Sequence, residues 1–156
     1  MKKFELTTEF ITNAFGKKLF RIKALVEFGD VKAGELGGYV EKEGNVSQAD
    51  NAWVSGDARV SGNAWVSGNA RVYGDARVYG DADYALVQGF GTEFRCTTFY
   101  RGKNKKIMVN CGCFHGDLEG FRKQVKETRN GKIAKEYLMI ADLMEYHFTS
   151  EDSSNE

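Results

Sequence analysis

Residues 54–83 read VSGDAR, VSGNAW, VSGNAR, VYGDAR and VYGDAD, five consecutive hexads in one register. Valine stands at every sixth position from Val54 to Val78, and alanine follows four residues later, at Ala58, Ala64, Ala70, Ala76 and Ala82. A strict period of six fits neither the period of two of a sandwich strand nor the 3.6-residue period of a helical solenoid. Between valine and alanine lie glycine and then asparagine or aspartate, residues that turn a chain at little steric cost. Two slots per hexad therefore face inward: valine fills the interior and alanine leaves room near the corner. Carried backward in the same frame, the hexads become LGGYVE from Leu36, KEGNVS from Lys42 and QADNAW from Gln48. That frame puts Lys42 and Gln48 in valine slots, so the first circuit is expected to be imperfect there or to bulge, because a lysine is costly to bury unpaired.

The flanks differ in kind. KKLFRIKALVEF (17–28) alternates apolar and polar residues and, with a turn at Ala14, Phe15, Gly16 and Lys17, predicts an N-terminal hairpin within a β cap over 1–35. Such a cap covers the unpaired end that any repeat array exposes. The repeats themselves occupy 36–85. Beyond them, ALVQGFGTEFRCTTFYR and KIMVNCGCFHG read as two strands around Gly102, Lys103, Asn104 and Lys105. Pairing Arg101 with Lys106 sets Cys96 opposite Cys111 and Phe94 opposite Cys113, on one face with Thr98, Ile107 and Val109. A helix capped by Asp117 follows, with Leu118, Phe121 and Val125 on one stripe, and ends at Asn130 and Gly131; a second runs from about Lys132 to Phe148. This C-terminal α/β unit spans 86–149, and residues 150–156 form an acidic tail expected to be disordered.

Lysine plus arginine and aspartate plus glutamate number 22 each, so there is no global field to recruit nucleic acid or an anionic membrane. Nucleic acid is a weakly supported partner, and no stretch approaches the ~20 apolar residues of a bilayer span. Three cysteines at spacings unlike a disulfide framework fit a reducing cytosol, so the expected location is cytoplasmic.

The hexads resemble the hexapeptide-repeat proteins, in which an aliphatic residue is followed four positions later by a small one. The resemblance covers about a third of the chain. It implies a mainly β fold, a short left-handed parallel β-helix of about three coils with three hexads per coil, and residues eighteen apart stacked. FGDVKAGELGGYVEKEGNVSQ (28–48) and GCFHGDLEGFRKQVKET (112–128) are further similar to small hexapeptide proteins of bacteriophages and of bacterial mobile or gut-associated genomes. That wider resemblance implies a cytoplasmic accessory protein, used by a phage against its host's defences.

Three kinds of chemistry compete. The family contains many acyltransferases that use a histidine base at a trimer interface with an acyl thioester; here the repeats hold no histidine, and His115 is the alternative candidate. Cys96, Cys111, Cys113 and His115, if on one face, offer a tetrahedral zinc set, though buried cysteine more often packs as a small hydrophobe. The favoured reading is a non-catalytic binder without cofactor, most plausible as a homotrimer. It would present Arg59, Arg71, Tyr73, Arg77 and Tyr79 from the repeats and Arg101, Lys103, Lys105 and Lys106 from the hairpin tip. Guanidinium, ammonium and phenol groups in that combination suit a host protein or a nucleotide-like anion.

Overall fold

The computed structural model describes residues 2–80, 83–93, 95–112 and 114–149. The expected acidic tail, and Ala82, Phe94 and Cys113, lie outside them. Strands β1 (Phe4–Thr12) and β2 (Lys18–Ala24) form the expected N-terminal hairpin, and β2 pairs antiparallel with β3 (Leu36–Val40). The repeats supply two-residue strands: β4 (Trp53–Val54), β5 (Arg59–Val60), β6 (Arg71–Val72) and β7 (Arg77–Val78). Three parallel ladders hold them: β3 to β5 to β7, β4 to β6, and a bridge from Val46 to Val66. Val54 lies beside Val72 and Val60 beside Val78, the eighteen-residue spacing. Val54, Val60, Val66, Val72 and Val78 are buried, as are Ala58, Ala64, Ala70 and Ala76.

The first pass corrects the backward frame. Val40 lies beside Val60 and Val46 beside Val66, twenty residues apart. The inward valines before Val54 are thus Val40 and Val46, and two extra residues enter between Val46 and Val54. Leu36 and Lys42 are exposed and occupy no core slot. Gln48 has a different task. Its carbonyl accepts the N–H groups of Lys3 (2.7 Å) and Phe4 (3.2 Å), and its amide donates to the Phe4 carbonyl (3.2 Å), so one side chain replaces a neighbouring strand for the start of β1. Beside it the buried Lys3 ammonium donates to the carbonyls of Asp50 (2.7 Å) and Ala52 (2.8 Å). Burial pushes that ammonium's pKa down to about 8. Trp53 pairs with Arg71 in register, eighteen residues on, and its side chain is buried edge-on against Phe4 and Phe28 under the cap.

The two expected C-terminal strands are four: β8 (Tyr84–Phe90), β9 (Arg95–Arg101), β10 (Ile107–Cys111) and β11 (Phe114–Asp117), an antiparallel sheet ordered β11-β10-β9-β8. The β9–β10 register corrects the expected one by a single residue: Arg101 faces Ile107, Val109 faces Phe99 and Cys111 faces Thr97. In a strand, that slip moves side chains to the other face. Phe99, Ile107 and Val109 pack against helices α1 (Leu118–Thr128) and α2 (Gly131–Thr149). Tyr100 and Met108, on the opposite face, join the core of the repeats. The sheet is thus a wall between repeats and helices. The Asp117 carboxylate caps α1 by accepting the Gly120 N–H (2.8 Å), as its position predicts.

The wall also finishes the open rim of the repeats, where β6 has unpaired backbone groups. Thr98 Oγ1 accepts the Arg71 N–H (3.0 Å), and Asn110 Nδ2 donates to the Arg71 carbonyl (3.4 Å). The Tyr100 hydroxyl takes the Tyr73 N–H and sits 2.7 Å from His115 Nε2. Farther along, the Asp83 carboxylate accepts the Tyr79 N–H at 2.9 Å. A buried backbone N–H left without an acceptor costs about 1–3 kcal/mol, so these side chains act as a substitute strand.

Candidate functional site

The nine residues expected to bind a ligand fall into separate groups. Arg71 and Tyr73 line a cleft of about 530 Å³ between the repeats and the wall, together with Asp30, Cys96 and Asn110. The cleft is polar, but its two cations are matched, Arg71 by Asp30 and Arg95 by Glu93. Arg71 Nη1 donates to Asp30 Oδ1 (2.5 Å) and to the Tyr73 hydroxyl (2.9 Å), and the Arg71 hydrogen bond holds the Asp30 carboxyl below its usual range. Lys106 is separate again, 3.7 Å from Asp117 at the start of α1.

Arg77, Tyr79, Arg101, Lys103 and Lys105 converge instead on a second cleft, of about 580 Å³. Two of them are fixed by structural hydrogen bonds. Arg77 Nη1 donates to the carbonyls of Asp57 (3.3 Å), Asp75 (2.9 Å) and Ala76 (3.0 Å) at the corners of the repeats. Arg101 donates from Nε to Asp83 (2.9 Å) and from Nη2 to the Phe148 carbonyl (2.7 Å), with its guanidinium over the Phe148 ring. Lys103 and Lys105 sit in a single 3₁₀ turn, exposed, and form no ion pair among the described residues. The turn bends sharply because Asn104 and Lys105 hold positive φ of 66° and 63°. Among the described residues, four cations and one carboxylate, Asp83, line this cleft, with the Asp75 carboxylate at its edge beside Gly102. That excess concentrates a positive field in a concave, partly desolvated place, which is what a multiply charged anion needs.

Arg59 belongs to a third cavity, of about 300 Å³, bounded by Phe15, Lys17, Glu41 and Tyr79. Tyr79 borders both this cavity and the cationic cleft. The tip of the N-terminal hairpin forms one wall. Asn13 Oδ1 accepts the N–H groups of Phe15 (2.9 Å) and Lys17 (3.0 Å), so the tip has its own internal brace. Glu41 ties it down: one oxygen accepts the Gly62 N–H (2.8 Å), which lowers the carboxyl's pKa, and the other lies 3.5 Å from Lys17 Nζ. Phe15 and Lys17 were legible only as a turn; the one signal for more was a phenylalanine placed where turns usually carry small or polar residues.

The residues of the alternative readings do not gather. Cys96 lies with Thr98 and Tyr100, whereas Cys111 pairs with Thr97, so the two thiols are on opposite faces of the wall. Thr97 Oγ1 lies 3.1 Å from Cys111 Sγ, and burial pushes the Cys96 thiol's pKa up, away from the thiolate that metal binding and nucleophilic attack require. No group of three or more metal-ligating side chains occurs among the described residues. His115, paired with Asn110 across β10 and β11, stacks on Tyr100 and lines none of the three cavities.

These features define a mixed α/β protein, mostly strands with two C-terminal helices, around a short region of parallel strands. Residues 52–68 and 70–82 match the YdcK beta solenoid repeat. The match covers well under half of the chain and speaks for a β-solenoid type of repeat there. No curated protein matches the chain. No helix of the described residues is long and apolar enough to cross a membrane.

Proposed function

We propose that this chain is a non-catalytic binding scaffold that captures a phosphate-bearing, nucleotide-like anion in the cleft between the last repeat and the β9–β10 turn. The repeats in this reading are a left-handed hexapeptide β-helix of about three coils. Three parallel ladders, stacked at eighteen residues from β4 to β6 and from β5 to β7 and at twenty in the first pass, support the coil count, while the handedness rests on the resemblance of the hexads to that family. The observation that carries the function is the convergence of Arg77, Arg101, Lys103 and Lys105 on one cleft whose lining, among the described residues, includes one carboxylate, Asp83. Of the two partners considered from sequence, a host protein and a small anion, a concave cationic cleft favours the anion. The phage accessory role, a part in countering host defence and a homotrimer belong to the same proposal and rest on resemblance.

Calorimetric titration of the full chain with inorganic pyrophosphate tests it. Binding is expected that weakens steeply with added salt and falls about tenfold or more in a Lys103→Ala, Lys105→Ala double variant, whose exposed sites leave the fold alone. No binding at millimolar pyrophosphate in low salt would sink the reading. Acyl transfer is the weaker account, because His115, the base that reading names, shares its Nε2 with the Tyr100 hydroxyl as part of the rim closure.

A further inference from the structure

We infer that the cavity behind Tyr79 seats a flat aromatic ring, so that the ligand is a nucleotide with its phosphates in the cationic cleft and its base against Phe15 and Tyr79. This deepens the anion-binding proposal and rests on it. Three observations point to the ring seat. Phe15 is 86% exposed at the braced, tethered tip of the β1–β2 hairpin. Folding gives no reason for a large apolar side chain there, and the brace holds it in place at little entropic cost to a ligand. Tyr79 is 45% exposed and borders both cavities, so a ligand passing from one to the other crosses its ring. Arg59 lines the ring cavity and sets a guanidinium beside the two rings, where it can lie against the face or edge of a base.

The two cavities differ in chemistry in the same sense. The cleft at Lys103 and Lys105 is walled mainly by cations, whereas the cavity at Phe15 pairs two aromatic rings with a guanidinium and keeps its acid, Glu41, engaged by Gly62 and Lys17. A polyphosphate would use only the first. A nucleotide uses both, since stacking on aromatic side chains tolerates any base and cationic side chains hold phosphate.

The test compares ADP, inorganic pyrophosphate and adenosine on the full chain and on a Phe15→Ala variant. ADP is expected to bind at least about tenfold tighter than pyrophosphate, and Phe15→Ala to remove most of that advantage while leaving pyrophosphate affinity unchanged. Equal binding of ADP and pyrophosphate, insensitive to Phe15, overturns the ring seat and leaves the anion cleft standing. Failure of both ligands overturns the cleft itself, and the ring seat with it. A Tyr79→Leu variant repeats the comparison from the other wall: loss of the ADP advantage supports the seat, and full retention of it counts against the seat.

Discussion

Arg-Val-Tyr-Gly occurs twice in succession, at residues 71–74 and 77–80, and the two copies meet opposite surroundings. In the first, Asp30 reaches in from the connection between the cap and the repeats and pairs with Arg71, while Thr98 and Tyr100 take the backbone N–H groups. In the second, Arg77 turns back onto repeat carbonyls, a carboxylate takes the Tyr79 N–H, and Arg101, Lys103 and Lys105 add positive charge that, among the described lining residues, only Asp83 opposes. The same four residues are therefore a structural joint in one place and part of a candidate binding surface in the other. What separates them is which flank covers them.

The strongest way to break this contrast is through the glycines. A Cβ at Gly62 would lie 2.4 Å from the Tyr79 carbonyl oxygen at a positive φ of 65°, so backbone must move. Gly62→Ala is expected to cost about 3 kcal/mol or more and to disturb the second copy, whereas Gly74→Ala, whose Cβ meets only the His115 ring at 3.2 Å, costs about 1–2 kcal/mol. Urea unfolding of both variants measures it, and equal losses would contradict the account. Next in size is ligand affinity: Arg71→Ala should leave pyrophosphate binding within about twofold, against the tenfold loss expected from the Lys103, Lys105 pair. A comparable loss in Arg71→Ala would mean that the clefts act as one.

Tyr100→Phe removes the acceptor of the Tyr73 N–H and the partner of His115, and is expected to lower stability by about 1–2 kcal/mol without touching the second copy's affinity. Smallest is Asp30→Asn. The Asp30 carboxyl is depressed by its hydrogen bond from Arg71, so its stabilisation is present above the unfolded value, about 3.9, and is lost as pH falls through the lower folded value. Asp30 is exposed, so the effect is under about 1 kcal/mol, read as a flatter acid limb in a stability profile of the variant. An unchanged acid limb would show that Arg71 is matched by something else.

The middle of the repeats was legible because valine and alanine recur without exception from Val54 to Ala76, and α1 because Asp117 and Gly131 bracket an apolar stripe. The first pass was not. Its two extra residues fall between Val46 and Val54, where the run from Ser47 to Asn51 carries no valine to show the change of phase, and the backward frame carried straight through it. The C-terminal register failed for a physical reason at the turn. Gly102 donates to the Lys106 carbonyl at 2.7 Å, so Gly102 and Lys106 close the turn and Arg101 meets Ile107. Gly89, Gly91 and Gly112, all at positive φ, flank the points where one expected strand becomes two. Of the site, the residue types were readable and their grouping was not, because from the cap, far away in sequence, Phe15 reaches it and Asp30 takes Arg71 away from it.

The side chains that finish the rim have a consequence for length. Thr98, Tyr100 and Asn110 bind backbone groups that every hexad carries, not features peculiar to the last one. The closing wall is thus indifferent to how many circuits precede it, provided the same face arrives beneath it. Insertion of a full eighteen-residue circuit would present an equivalent strand to the wall and lengthen the protein without redesigning either end; insertion of a single hexad would bring the wrong face under it. The chain is built so that its size can change only in whole circuits.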